Sequence, residues 1–156
     1  MKASCSCGEI TFELTDRPIF VQCCHCRMCQ RQSGTAFALN ALIEADRVLH
    51  HTGTPEVIEM PSANPHGQQV SRCPTCKVAV WSVYPGAGPK FRFVRVGALE
   101  DPDQCPPQVH IFTQSKQPWV QLGSDIPAFE HYYDREQVWP ASALERRRVA
   151  LGETGG

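Results

Sequence analysis

Cys24-His25-Cys26-Arg27-Met28-Cys29 places three thiols within six residues, and a fourth, Cys23, stands directly before them. Two pairs answer this segment from a distance: Cys5-Ser6-Cys7 near the N-terminus and Cys73-Pro74-Thr75-Cys76 near the middle. Such spacings suit metal ligation. Residues i and i+2 of an extended strand project to one face, and a tight turn presents thiols three apart to one ion. Cys5, Cys7, Cys73 and Cys76 together make a four-thiolate shell of the kind that Zn²⁺ accepts tetrahedrally. A closed shell has no open position, so this site reads as structural, tying the N-terminal strand to the middle of the chain. The competing reading of Cys5 and Cys7 is as small buried residues.

Cys24, Cys26 and Cys29 combine both spacings. Three protein ligands leave a fourth position on zinc, the mark of a catalytic or exchangeable site. A thiol that coordinates there is deprotonated, so the site could activate a thiol at neutral pH. Three thiolates with Zn²⁺ carry net charge −1, so neighbouring cations matter, and Arg27 and Arg31 are the local candidates. Two alternatives compete. Cys23, His25 or the distant His110 could close the shell and make a second structural site. Adjacent strand residues face opposite ways, however, which speaks against Cys23 and His25. A redox reading of Cys26 and Cys29 leaves Cys24 unexplained.

The remaining elements must bring these segments together. The chain has 156 residues, enough for one core. Its net charge of −1 gives a polyanion no purchase, so no nucleic-acid partner is expected. Nine cysteines, an odd number, argue against a closed disulfide framework. The N-terminus lacks an apolar leader and no apolar stretch is long enough to span a bilayer, so a cytoplasmic protein without a membrane partner is expected. In a reducing compartment, clustered cysteines are metal ligands or redox groups.

Residues 9–14, 55–60 and 91–96 alternate polar and apolar, the period of half-buried strands. Residues 19–22, 36–43, 69–72, 78–83 and 109–112 add further strands, and residues 30–34 form a helical turn ended by Gly34. Turn signals between them predict a mainly β fold, sandwich-like or tent-like. Residues 140–151 are the one convincing helix, with Pro140 at the start and Gly152 after the end. Its Arg146-Arg147-Arg148 run is expected to be a solvated face, and Phe37 and Trp119 are expected in the core. The predicted organisation is a zinc-binding domain over residues 1–135 and a helical tail over 136–156.

At these segments the chain resembles the glutathione-dependent formaldehyde-activating enzyme family. The resemblance is carried by Cys5-Ser6-Cys7-Gly8-Glu9-Ile10-Thr11-Phe12-Glu13 and by Cys24-His25-Cys26-Arg27-Met28-Cys29-Gln30-Arg31-Gln32-Ser33-Gly34-Thr35-Ala36-Phe37. Cys73-Pro74-Thr75-Cys76, His110-Ile111-Phe112 and Ser115-Lys116-Gln117-Pro118-Trp119 continue it in order, as far as Glu130. The resemblance implies a zinc-binding β-tent fold in which Cys5, Cys7, Cys73 and Cys76 hold a structural zinc. It implies a second, labile zinc on Cys24, Cys26 and Cys29, the expected catalytic residues. The activity implied is carbon–sulfur lyase chemistry, the reversible condensation of formaldehyde with glutathione to S-hydroxymethylglutathione.

Lys77 departs from the pattern, standing where the family usually has a glycine, which a left-handed turn favours. Loop lengths between Leu49 and Arg72 vary across such proteins, so substrate contacts are not carried over there. His25 and His110 are candidates for a general acid, with packing or hydrogen bonding as the plainer role. Lys116 is a candidate for a substrate carboxylate, with a solvent-facing lysine as the plainer reading. Since a shared scaffold does not fix a substrate, a non-catalytic thiol carrier or protein-interaction module, and a purely structural two-zinc domain, stand as alternatives.

Overall fold

A computed structural model describes residues 1–153, so the last three residues of the expected 136–156 tail lie outside it. Among the described residues, ten strands form two sheets. The smaller is antiparallel, with order β1 (Lys2–Ser4), β2 (Thr11–Leu14) and β5 (Val48–Thr52). The larger has seven strands. Its middle is β3 (Phe20–Cys24), β4 (Ala38–Glu44) and β9 (Phe91–Arg95). It continues through β8 (Ala79–Val83) and β7 (Gln68–Arg72) to β6 (Glu56–Met60) at one edge. At the other edge β10 (Val109–Ile111) lies parallel to β3, pairing His110 with Cys23, while the other strand pairs of this sheet are antiparallel. The mainly β expectation holds, with few helices and a short one at the C-terminus.

The smaller sheet covers one face of the larger. Phe12 and Leu14 of β2 pack with Val21, Ala41, Ile43 and Val94 from the larger sheet. The intervening residues Phe20, Leu42 and Phe93 point to the opposite face and build a second core with Ile111, Tyr133 and Trp139. The middle strands are thus apolar on both faces. That is why residues 36–43 read as a continuous apolar run while residues 9–14, buried on one side only, alternate.

The second core is roofed by the C-terminal segment. α2 (Arg135–Val138) starts at Asp134, whose carboxylate accepts from the Glu136 N–H at 3.0 Å. α3 (Ala141–Leu151) follows Pro140. Between them Trp139 stacks on Phe20, ring centroids 5.1 Å apart, and its indole N–H donates to the Tyr133 hydroxyl at 2.6 Å. Burying an indole with its polar tip satisfied is a strong anchor.

The arginine run does not form a solvated face. Arg146 makes a two-pronged pair with Glu44, Nε to Oε1 at 3.0 Å and Nη2 to Oε2 at 2.6 Å, and the Glu44 side chain is only 7% exposed. Arg148 pairs with Glu145 one turn away, and Arg147 turns towards a pocket described below. Successive helix residues point about 100° apart, so a triplet cannot share one environment. Arg146→Ala would strand a buried carboxylate with only Arg47, at 3.6 Å, beside it. Chemical denaturation should show a loss of about 2 kcal/mol; a loss within measurement error would mean that the pair is dispensable.

Three other expectations are corrected. Trp119 is 71% exposed and Phe37 39% exposed, so neither is core. α1 (Arg27–Ser33) begins three residues before the expected turn, because Cys26 acts as its N-cap, and Gly34 at φ +69° ends it. β5 gave no sequence signal, since four of its five residues face solvent and two of them are histidines.

Candidate metal centres

The first centre joins two turns. β1 ends at Ser4, so Cys5 and Cys7 do not share a strand face. They sit in a tight turn closed by the Gly8 N–H donating to Cys5 O at 3.1 Å, with Gly8 at φ +76°. The Ile10 N–H donates to Cys5 Sγ at 3.3 Å. The turn between β7 and β8 is its counterpart. Cys73 N–H donates to Val78 O at 3.0 Å, Lys77 N–H to Cys73 O at 3.0 Å, and Cys76 N–H to Cys73 Sγ at 3.4 Å. Lys77 adopts φ +62°, the left-handed conformation that its place in the turn requires. Backbone amides directed at sulfur favour the thiolate, and the Val78 amide leads the contacts that hold Cys76 down at about 6.

All four sulfurs lie within 4.8 Å of one another, with Cys5 and Cys7 3.5 Å apart and Cys7 and Cys73 3.6 Å apart. Tetrahedral zinc with Zn–S bonds near 2.3 Å sets its sulfurs about 3.8 Å apart. These two separations fall a few tenths of an ångström short of that, and the donor set fits zinc.

The second centre lies on the opposite face of the larger sheet. Cys24 ends β3, Cys26 caps α1 and Cys29 sits in its first turn, and the three sulfurs lie within 4.8 Å of one another. The strand therefore delivers one ligand and the helix start the other two. The Cys29 N–H donates to Cys26 Sγ at 3.3 Å. The Cys26 thiol is pushed down to about 2, first by hydrogen bonding from Cys24 and then from Cys29. Hydrogen bonding to Cys26 is likewise the first cause that pushes Cys24 up, with Cys29 and burial adding to it. The thiols' mutual hydrogen bonding thus favours the anionic form at Cys26 over its neighbours, a polarity that suits a cation. The cation whose field reaches Cys29 is Arg95 of β9. It is held by Ser82 Oγ at 2.9 Å and by Asn40 Oδ1. Of the two local candidates, Arg27 is instead bonded to Gln30 Oε1 at 2.8 Å and Arg31 is exposed. No spacing rule connects Arg95 with Cys29; only the pairing of β9 with β4 brings it near.

The two candidate histidines and Cys23 occupy the other side of β3. Cys23 and His110 are cross-strand partners. His25 Nε2 lies 3.0 Å from His110 Nδ1 and 3.6 Å from Cys23 Sγ, and all three residues are buried. The three donors are close enough to share an ion, but 3.0 Å is an ordinary ring-to-ring hydrogen bond that satisfies one nitrogen of each imidazole. Burial first, then the fields of His110 and Lys116, pushes His25 down to about 4, and burial also lowers His110. Burial thus disfavours the charged form of both rings, and the cluster they form with Cys23 is separate from the Cys24–Cys26–Cys29 group, as strand alternation requires. Lys116, the candidate for a substrate carboxylate, donates instead to Gln117 O at 3.2 Å and Val120 O at 2.6 Å.

Cys24, Cys26 and Cys29 form part of the wall of a pocket of about 400 Å³. Phe91, Phe93 and Ile111 supply its apolar floor, Tyr84 one side, and Tyr132 and Trp139 the C-terminal side. The aromatic wall and the two arginines in it, Arg135 and Arg147, carried no sequence signal, because none lies near a cysteine in the chain.

A β scaffold with one group of four cysteines and one group of three at a pocket wall defines a class of protein whose thiols are placed so that they could hold metal. A model of the glutathione-dependent formaldehyde-activating enzyme family matches residues 1–115, and the chain belongs to that family. The family is associated in general with formaldehyde activation by glutathione. Among solved structures, a Rhodobacter sphaeroides protein is similar, at 21% identity over 64% of this chain and 88% of its own, with a TM-score of 0.49. Among curated proteins, none matches the chain.

Proposed function

We propose that the protein is a zinc-dependent carbon–sulfur lyase that reversibly joins a small thiol of the glutathione kind to a small aldehyde such as formaldehyde. The observation that carries this reading is the trio of buried sulfurs of Cys24, Cys26 and Cys29 at the wall of a pocket. Family membership supports the choice of thiol and aldehyde. Cys5, Cys7, Cys73 and Cys76 would hold a structural zinc, and Cys24, Cys26 and Cys29 a catalytic, labile one. That second ion, when bound, supplies a Lewis acid that favours the thiolate form of an incoming thiol and of a departing one.

In the forward direction the thiol loses its proton, its sulfur forms a bond to the aldehyde carbon, and the carbonyl pair moves to oxygen, which takes up a proton. The reverse direction breaks the same bond. The chain supports this in three ways. Arg95 offsets the negative charge of the thiolate group. The aromatic wall keeps bulk water from the reacting carbon. Tyr84 and Asn40 face the pocket as uncharged donors for the aldehyde oxygen. Burial raises the Tyr84 phenol, so it stays protonated, and Asn40 keeps its amide N–H groups free because its oxygen accepts from Arg95. The chemistry needs reduced thiols, and all nine cysteines are free, which suits a reducing compartment such as the cytoplasm.

The test is exchange spectroscopy on formaldehyde NMR signals with zinc-supplemented protein and a thiol. Protein-dependent acceleration of the exchange is expected. Thiol binding without acceleration would overturn the lyase and leave a thiol carrier on the same fold.

A further inference from the structure

The family match ends at residue 115, yet one side of the pocket comes from beyond it. Tyr132, Arg135, Trp139 and Arg147, all beyond the matched residues, line the pocket on that side. Two of them carry charge, and both are half-buried. Among the described residues, the guanidinium of neither Arg135 nor Arg147 makes an ion pair or a hydrogen bond, whereas Arg146 and Arg148 on the same helix are both paired. The two unpaired groups lie near each other. Arg147 is pushed down first by burial and next by the field of Arg135, with the fields of Glu153 and Glu136 opposing that shift. Removing two like charges from water without a partner is unfavourable. A site that keeps them so arranged is complementary to an anion.

The rest of the lining narrows the anion. The pocket wall contains no Asp, Glu, Lys or His among the described residues. Apart from the cysteine group, its charge is therefore only positive, and its body is aromatic and aliphatic. A guanidinium presents a planar fork that matches a carboxylate in two places. We propose that Arg135 and Arg147 form a carboxylate-binding subsite, so that the preferred substrate is an anionic thiol: sulfur at the Cys24–Cys26–Cys29 end, an uncharged body along the aromatic wall, and a carboxylate on the two arginines. A thiol bearing an ammonium finds no counter-charge in the lining away from the cysteine group. The carboxylates of glutathione fit this description, while its α-amino group gains nothing from the wall. The inference rests on the reading of the three cysteines as the sulfur-binding end.

The test is calorimetric binding of ω-mercaptocarboxylates of increasing chain length to the zinc-supplemented protein, each against its matched uncharged amide, with cysteamine as the cationic thiol. At the chain length that spans the pocket, the acid should bind at least about tenfold more tightly than the amide, and cysteamine should bind more weakly than either. Arg135→Gln combined with Arg147→Gln should collapse the acid-to-amide ratio towards one, and Arg147→Lys should keep part of it. Equal binding of acid and amide at every length, or a ratio untouched in the double variant, overturns the subsite. Melting curves taken alongside identify a variant that fails to fold, and the wild-type ratio then decides alone. Binding is read without turnover, so the outcomes separate. Arginine-dependent binding with no aldehyde exchange would sink the lyase and keep the subsite. Exchange indifferent to thiol charge would do the reverse.

Discussion

Cys73→Ser is expected to leave most of the chain unfolded at ambient temperature. Cys73 is fully buried in the core between the two sheets. Its sulfur lies 3.6 Å from that of Cys7, 66 residues away in the chain. The four-sulfur group is thus the clasp between the N-terminal turn and the β7–β8 turn. Structural zinc held by thiolates contributes on the order of 10 kcal/mol or more of apparent folding free energy in small zinc domains. Whole domains of this size are stable by only about 5–15 kcal/mol. Even a fraction of the metal contribution is then comparable with the total. Serine at Cys73 removes a ligand and places a hydroxyl in an apolar core. Thermal melting by circular dichroism, with zinc release followed by a colorimetric chelator, reads both consequences. A cooperative melt within about 1 kcal/mol of wild type, with zinc content unchanged, would show that the group holds no structural ion.

Cys26→Ser should have the opposite profile: a loss of at least about 10³-fold in thiol-dependent formaldehyde exchange, in line with removal of a metal from a catalytic position, and a stability change within about 1 kcal/mol. The second half follows from Cys26 being the N-cap of α1, where its sulfur accepts the Cys29 N–H at 3.3 Å. Serine is a better N-cap than cysteine, so the helix start survives while one of three ligands is lost. Native mass spectrometry should show the variant short of one zinc relative to wild type and unable to retain glutathione. If Cys26→Ser instead melts as badly as Cys73→Ser, both groups are structural and the lyase reading falls. The contrast between the two serine variants is therefore more informative than either alone.

Both cysteine groups were legible in the sequence because ligand spacing is a local property. The closed group nevertheless forms for a different reason from the one that spacing suggested. Cys5 and Cys7 meet through the turn closed at Gly8, not through the period of a strand. Lys77 was legible as a departure, and its backbone takes the left-handed conformation despite its side chain. Apart from β1, which is only three residues long and gave no strand signal, the strands were legible wherever one face is buried, and their type but not their burial was legible where both are. β5 was invisible because its side chains face water. What could not be read were the groups that long-range pairing brings in: Arg95 beside Cys29, Glu44 under Arg146, and the aromatic and arginine side of the pocket. Charge in the Arg146-Arg147-Arg148 run was plain, but its threefold division of labour depends on what each residue meets after folding.

The placing of Cys23 and Cys24 on opposite faces of β3 turns the alignment of one strand into a chemical decision. β3 is gripped on one edge by β4, with Cys24 opposite Ala38, and on the other by β10, with Cys23 opposite His110. Gln108 adds a peg by accepting the Val21 N–H at 2.9 Å. A slip by one residue would turn Cys23 towards the pocket and hide Cys24 among the histidines, since alternate side chains exchange faces. The slipped strand would still bury a thiol on each side, but it would also carry Phe20 away from Trp139 and turn Gln22 towards the core between the sheets, so packing helps to hold the register. A change of register at β3 is therefore expected to cost stability as well as to break up the group of three sulfurs. Accuracy at this strand depends on the two flanking partners, and β10 reaches it from 85 residues further along the chain.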